Sequence, residues 1–119
     1  MGMMSSLRLR HNRERLVESG QQTNMPATVG LLTAELGIET ADSLKDKRQV
    51  LKSLTAHLRN EFNVSVSEVD DHDIWRRAVI AVAMVAADGR FVNEVLDKVI
   101  DHIERDPRVD LGHCEIEML

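Results

Sequence analysis

Residues 43–62 have the sequence SLKDKRQVLKSLTAHLRNEF, the clearest helical pattern in the chain. At about 100° per residue, six apolar side chains of this stretch fall in one sector. They are Leu44, Val50, Leu51, Leu54, Leu58 and Phe62. Ser43 is a suitable N-cap, and Asp46 three residues later completes a pattern similar to a capping box. The stretch therefore predicts a helix that packs one face into a core.

The same helix carries a row of basic side chains beside its apolar sector, which we call the basic ridge. Its members are Lys45, Arg48, Lys52 and Arg59. Their spacings of three, four and seven place them on one flank of a helix. Lys47 falls close to the apolar sector, so we expect its stem to lie along the core while its ammonium reaches water. The ridge predicts either a solvated flank or a phosphate-binding surface.

Strand patterns and a second helix pattern accompany this helix. The strands are predicted over residues 28–38, 63–69, 78–87 and 109–119. The third of them is a continuous Val- and Ala-rich run, which is typical of a central strand. From Phe91 to Ile103 apolar residues recur at three and four, which predicts the second helix. The order βαββαβ predicts an α+β, ferredoxin-like sandwich, with two helices on one face of a four-stranded antiparallel sheet. Right-handed crossovers place the first and third strands in the centre.

The length of 119 residues allows one domain and a tail. We predict a flexible basic extension over residues 1–27, with arginines at 8, 10, 13 and 15, and a folded domain over residues 28–119. The formal net charge of −5 argues against binding nucleic acid through a broad basic surface. No apolar run approaches the ~20 residues of a membrane span. The expected location is therefore the cytoplasm, with no membrane partner.

The chain lacks the residues that several kinds of functional site require. With no tyrosine, one tryptophan and two phenylalanines, the sheet cannot stack bases as an RRM does. Cys114 is the single cysteine, which excludes an internal disulfide, and its strand position favours a small buried apolar residue over a nucleophile. No glycine-rich phosphate loop is present. We therefore predict no cofactor and no catalytic residue.

Two acidic groups leave alternatives open. Asp70, Asp71, His72 and Asp73 are consecutive. They form either an acidic turn or, less favourably, a site for a divalent cation. Glu35, Glu115 and Glu117 are expected on the open face of the sheet. They are solvated, lie at the rim of a dimer, or, less favourably, serve as the carboxylates of a hydrolase. We predict no metal site.

Three apolar residues are candidates for a protein interface. Trp75 lies where a loop enters the third strand, and it either plugs one end of the sheet or anchors a partner. Val29 and Leu31 are expected on the open sheet face, where apolar side chains favour pairing with a second sheet. The sequence therefore allows a homodimer.

Three motifs give the chain a family resemblance. They are SLKDKRQVLKSL at 43–54, FNVSVSEVD at 62–70 and DIWRRA at 73–78. With these motifs in register from about residue 27 to 119, the chain resembles the YlxP-like family of small bacterial proteins of unknown function. The resemblance implies a ferredoxin-like fold. The genes of that family commonly sit beside those for a transcription elongation factor, a translation initiation factor and a ribosome-binding factor, which implies a role near ribosome assembly. No catalytic residues are established for the family.

We therefore expect a non-enzymatic module that docks on ribosomal RNA or on a ribosome-associated protein. Its contacts are Lys45, Lys47, Arg48, Lys52 and Arg59, extended by Arg76 and Arg77. The alternative is an oligomeric or regulatory module that uses the open sheet face. A metal- or carboxylate-dependent hydrolase is the third and weakest hypothesis.

Overall fold

The structure, a computed structural model, describes residues 26–119. The predicted extension lies outside this part of the chain except for Pro26 and Ala27. The elements are β1 (Thr28–Gly37), α1 (Leu44–Glu61), β2 (Ser65–Asp70), β3 (Arg77–Ala86), α2 (Gly89–Glu104) and β4 (Asp110–Met118). The predicted order βαββαβ is confirmed, and each element matches its sequence pattern to within a few residues.

The four strands form one antiparallel sheet in the order β2-β3-β1-β4. The first and third strands are therefore central, as the crossover rule predicts. Between them the register is unbroken from Thr28 opposite Ala86 to Gly37 opposite Arg77. This arrangement is the ferredoxin-like sandwich, and it leaves β2 and β4 as the two edges of the sheet.

The last strand departs from strict alternation. Cys114, opposite Ala34, is half-buried and packs against the core, but the register shifts between Ala34 and Leu36, where β4 is irregular. As a result Leu111 lies opposite the core residue Leu36, where strict alternation from Cys114 would place Gly112. A bulge inserts one extra residue, and every position before it moves to the other face.

The core lies between the helices and one face of the sheet. From α1 it takes Leu51, Leu54 and Leu58, and from α2 Val92, Val95, Leu96, Val99 and Ile103. α1 packs mainly on β2, whereas α2 packs on β1, β3 and β4. Gly30 allows α2 to pack closely on β1, because a Cβ at this position would lie 2.4 Å from Cγ1 of Val92. None of the described helices is long and apolar enough to cross a membrane.

The predicted N-cap fixes where α1 begins. The hydroxyl of Ser43 accepts a hydrogen bond of 3.0 Å from the amide of Asp46, and the Asp46 carboxylate accepts one of 3.0 Å from the amide of Asp42. Two of the amides at the helix start are thereby satisfied by side chains. The first turn, which carries Lys45 and Lys47, is held in a defined position against the sheet.

Candidate nucleic-acid interface

The basic ridge lies on the flank of α1 that faces the outer edge of β2. All four members are exposed, and the first and last lie 14 positions apart, or about 21 Å at ~1.5 Å per residue. Between the ridge and β2 runs an open groove of about 390 Å³. It is lined by Arg48, Lys52 and Arg59 together with Leu51, Thr55 and Glu68. The structure thus places three of the four ridge cations around one surface depression.

The four ridge cations differ in the hydrogen bonds and ion pairs that they make. Arg59 donates a hydrogen bond of 2.9 Å from Nη2 to the carbonyl oxygen of Val66, so its guanidinium covers part of the exposed edge of β2. Lys45, Arg48 and Lys52 make no ion pair with any carboxylate among residues 26–119. These three cations therefore form a row of like charges, which is mildly unfavourable along a helix.

Lys47 departs from the expectation that its ammonium reaches water, because its side chain is 0% exposed. Its Nζ donates to the carbonyl oxygens of Asp71 at 2.7 Å and Arg77 at 3.0 Å. The same Nζ lies 2.9 Å from Oε2 of Glu68, in ion-pair contact but without the alignment of a hydrogen bond. Buried among these acceptors, the ammonium is satisfied internally. The prediction that Lys47 contacts a partner's phosphates is therefore wrong.

Lys47 and Arg76 fasten the loop of residues 71–76 to the start of α1. Arg76 donates from Nε to the carbonyl oxygen of Ala41 at 3.0 Å, and its Nη2 lies 3.4 Å from the Asp42 carboxylate. The Arg77 side chain lies 3.5 Å from Oδ2 of Asp71. Both arginine side chains remain about two-thirds exposed. Since Lys47 binds the carbonyl groups at both ends of this loop, the two arginines lie beside the first turn of α1.

The three predicted interface residues do not come together. Trp75 is 51% exposed in the loop before β3, which contradicts the alternative that it plugs one end of the sheet. Val29 is 37% exposed and Leu31 is half-buried, both on the open sheet face. Val29 pairs with Val85, whereas the Trp75 loop joins β3 at Arg77, about 27 Å away at ~3.4 Å per residue. The two surfaces are therefore separate.

The open face carries an acidic margin along β4, as predicted. Glu115 lies opposite Thr33 and Glu117 opposite Leu31, on the face of β1 that also bears Glu35. Nε2 of His113 lies 2.9 Å from the Glu115 carboxylate, and this hydrogen bond raises the pKa of the exposed His113 ring. The carboxylates and the basic ridge thus occupy opposite sides of the molecule.

Among residues 26–119, no group of three or more His, Cys, Asp or Glu side chains converges as a metal site would require. In the acidic turn, Asp70 accepts a hydrogen bond from the Asp71 amide, and Asp71 contacts Arg77. The carboxylates of Asp70 and Asp71 are therefore engaged with the protein itself.

Two histidines from different helices come together beside a second surface depression. The rings of His57 and His102 lie 6.4 Å apart, beside a depression of about 270 Å³ that Asp106 and Arg108 also line. The hydrogen bond from Arg108 holds the pKa of Asp106 below its usual range. Sequence spacing could not reveal the pair, because His57 and His102 lie on different helices.

Comparison with known proteins gives the chain its family. A family model described as "Protein of unknown function (DUF503)" matches residues 29–116. The uncharacterized protein YlxP of Bacillus subtilis (strain 168) is 34% identical over 82 residues, which are 69% of this chain and 89% of YlxP. The de novo designed protein Foldit4 aligns at 14% identity with a TM-score of 0.47, over 78% of this chain and 96% of Foldit4. The chain therefore belongs to the DUF503 family of proteins of unknown function, in agreement with the resemblance to YlxP-like proteins.

Proposed function

We propose that this protein is a non-enzymatic RNA-docking module whose basic ridge contacts the phosphate backbone. One observation carries the proposal. Lys45, Arg48 and Lys52 stand in a row on one flank of α1, exposed and without a described carboxylate in ion-pair contact. A row of unpaired cations repels itself along the helix, and a row of phosphates would remove that repulsion.

The ridge suits positioning better than sequence reading. Its side chains are long and charged, and lysine and arginine contacts to phosphates fix orientation without distinguishing bases. The acidic margin on the opposite side would repel RNA, which limits binding to one orientation. Ribosomal RNA is the class of RNA that the resemblance to YlxP-like proteins implies. Arg76 and Arg77 extend the proposed surface beyond the first turn of α1.

The test compares binding to ribosomal subunits and to a single-stranded RNA oligonucleotide over a range of salt concentrations. The variant Lys45→Ala/Arg48→Ala/Lys52→Ala removes the three unpaired cations. Each phosphate contact contributes about 0.7 to the slope of log affinity against log salt for single strands, so we expect the slope to fall by about 2. At low salt the variant should also bind markedly more weakly than the wild type.

A matched control removes the same charge from another helix. Arg90→Ala/Lys98→Ala/Arg105→Ala takes three exposed cations from α2 and its C-cap. This control should keep the wild-type slope, because these residues lie outside the ridge. Equal binding by the wild type and the ridge variant would contradict the proposal. RNA-independent binding of the wild type to a ribosomal protein would reassign the ridge to a protein partner.

A second candidate function, association of two copies through the open sheet face, rests on a separate observation. The open side of the two central strands carries, beside Thr33 and Glu35, six apolar residues: Val29, Leu31, Val79, Ala81, Ala83 and Val85. Val85 is 56% exposed, and neither helix covers this face. Small side chains such as alanine allow two sheets to approach to about 10 Å. The two functions are compatible, because face-to-face pairing leaves the ridge open.

Sedimentation tests this association. We expect the wild type to sediment as a dimer at high concentration and Val85→Asp to sediment as a monomer, since a carboxylate among these apolar residues would be buried without a partner. Asn93→Asp, which adds the same charge on α2, should leave the dimer intact. A wild type that stays monomeric at every concentration would exclude pairing through this face.

A further inference from the structure

The loop of residues 71–76, which joins β2 to β3, is held by hydrogen bonds at both ends. Asp71 has a φ of 62°, a left-handed conformation that aspartate tolerates better than most residues. Its carbonyl oxygen accepts from the amide of Ile74 at 3.1 Å, which closes a turn, and from Nζ of Lys47 at 2.7 Å. The amide of Ile38 also donates to the carbonyl oxygen of Arg76 at 2.9 Å. The backbone that carries Trp75 is thus fixed at both ends.

This fixed loop keeps a large aromatic ring in contact with solvent. Trp75 is 51% exposed and its neighbour Ile74 is 38% exposed. Exposing an indole gives up apolar burial that a core position would supply. The backbone around Trp75 is anchored at both ends before any partner binds. Binding through Trp75 therefore costs little further conformational entropy of the loop.

The loop adjoins the basic ridge. Lys47, which binds the carbonyl groups at both ends of the loop, lies in the first turn of α1 between Lys45 and Arg48. Arg76 ties the same loop to the carbonyl oxygen of Ala41, just before the N-cap. The loop that carries the exposed Trp75 and the first cation of the ridge, Lys45, therefore both lie at the N-terminal end of α1.

We propose that Trp75 stacks on an unpaired nucleobase of the RNA whose backbone the basic ridge contacts. This inference rests on the proposed function, and it narrows the ligand to RNA with at least one unstacked nucleotide. A duplex keeps its bases stacked inside and offers Trp75 no free face, whereas single strands and bulges expose them. Aromatic stacking beside a basic groove is a common mode of single-strand binding.

Trp75 provides its own probe, because the chain has one tryptophan and no tyrosine. The full-length protein is titrated with three polyanions: a ten-nucleotide oligouridylate, a ten-base-pair RNA duplex and inorganic polyphosphate. At saturation we expect the single strand to quench Trp75 fluorescence strongly. The duplex and polyphosphate should bind through the ridge with little quenching, since neither offers an unstacked base.

Substitutions of Trp75 distinguish the contribution of base stacking to RNA affinity from that of the basic ridge. Trp75→Ala should weaken oligouridylate binding roughly 5- to 150-fold, equivalent to the ~1–3 kcal/mol of base–aromatic stacking, while the salt slope stays at the wild-type value. Trp75→Phe should restore part of the affinity. Ile74→Ala, on the same loop, serves as the control and should change affinity less than twofold. Urea unfolding of each variant verifies the fold.

The outcomes distinguish this inference from the function on which it rests. Salt-dependent RNA binding that Trp75→Ala leaves unchanged would overturn stacking, would keep the ridge, and would assign Trp75 to a protein contact. Equal quenching by the duplex and the single strand would also overturn it. If the wild type binds none of the RNA probes even at low salt, both proposals fail together.

Discussion

Lys47→Met is expected to lower the free energy of unfolding by about 3 kcal/mol. Methionine retains most of the length of the buried stem but removes the ammonium. The carbonyl groups of Asp71 and Arg77 then lose their buried donor, and the Glu68 carboxylate loses its cation. Removing one member of a buried ion pair typically costs ~3–5 kcal/mol. Because the Glu68 side chain is 20% exposed and keeps some solvent, the low end of that range applies.

Urea unfolding at neutral pH measures this loss through the midpoint and the slope of the transition. Lys52→Met, on the exposed ridge of the same helix, is the matched control and should change stability by no more than about 0.5 kcal/mol. The double variant Lys47→Met/Glu68→Met should recover part of the loss, since it removes both charges together. A loss below about 1 kcal/mol for Lys47→Met would show that the carbonyl groups find water instead.

The fold could be predicted from the sequence because each helix and strand is specified by a pattern of neighbouring residues. The three-and-four spacing from Leu44 to Phe62 and the alternation from Thr28 to Ile38 each specify an element without reference to the rest of the chain. Once the order βαββαβ is known, the handedness of the crossovers leaves few sheet orders to consider. The prediction that β1 and β3 are central is confirmed for that reason.

The surface was harder to predict because its determinants are distant in sequence. The helical pattern placed Lys47 at the edge of the apolar sector, but its acceptors Asp71 and Arg77 lie 24 and 30 residues away. Trp75 is exposed on the same loop, whereas the sequence left open whether it plugs the sheet or anchors a partner. The ridge cations were identifiable from spacing, whereas only the structure showed that the ammonium of Lys47 is buried.

Arg48→Glu is expected to raise the stability of the protein while it lowers RNA affinity. In the wild type, Arg48 lies three residues after Lys45 and four before Lys52, so both helical neighbours repel it. The introduced carboxylate converts both repulsions into attractions, and arginine and glutamate have similar helix propensities. At ~0.2–0.5 kcal/mol for each pair, we expect a gain of about 0.5–1 kcal/mol in urea unfolding.

The same carboxylate would face phosphates at the middle of the ridge. Like charges in contact cost up to several kcal/mol, reduced here by solvent and salt, so RNA affinity should fall about 10- to 100-fold at low salt. Lys98→Glu is the matched control, with an identical change in net charge on α2. Lys98 has Glu94 four residues before it and Asp101 three after it, so this variant should lose stability yet keep RNA affinity within about twofold.

The expected gain in stability and loss of RNA affinity of Arg48→Glu distinguish the two interpretations of the ridge, a solvated flank and a phosphate-binding surface. If the ridge were only a solvated flank, Arg48→Glu would gain stability and leave RNA binding unchanged, or would weaken it only as much as Lys98→Glu does through net charge. If the ridge binds phosphates, the stabilised variant is the one that loses its ligand. Unfolding cannot explain such a result, because a variant more stable than the wild type is at least as fully folded. A selective loss of affinity would therefore identify like charge on α1 as a feature kept for binding at the expense of stability.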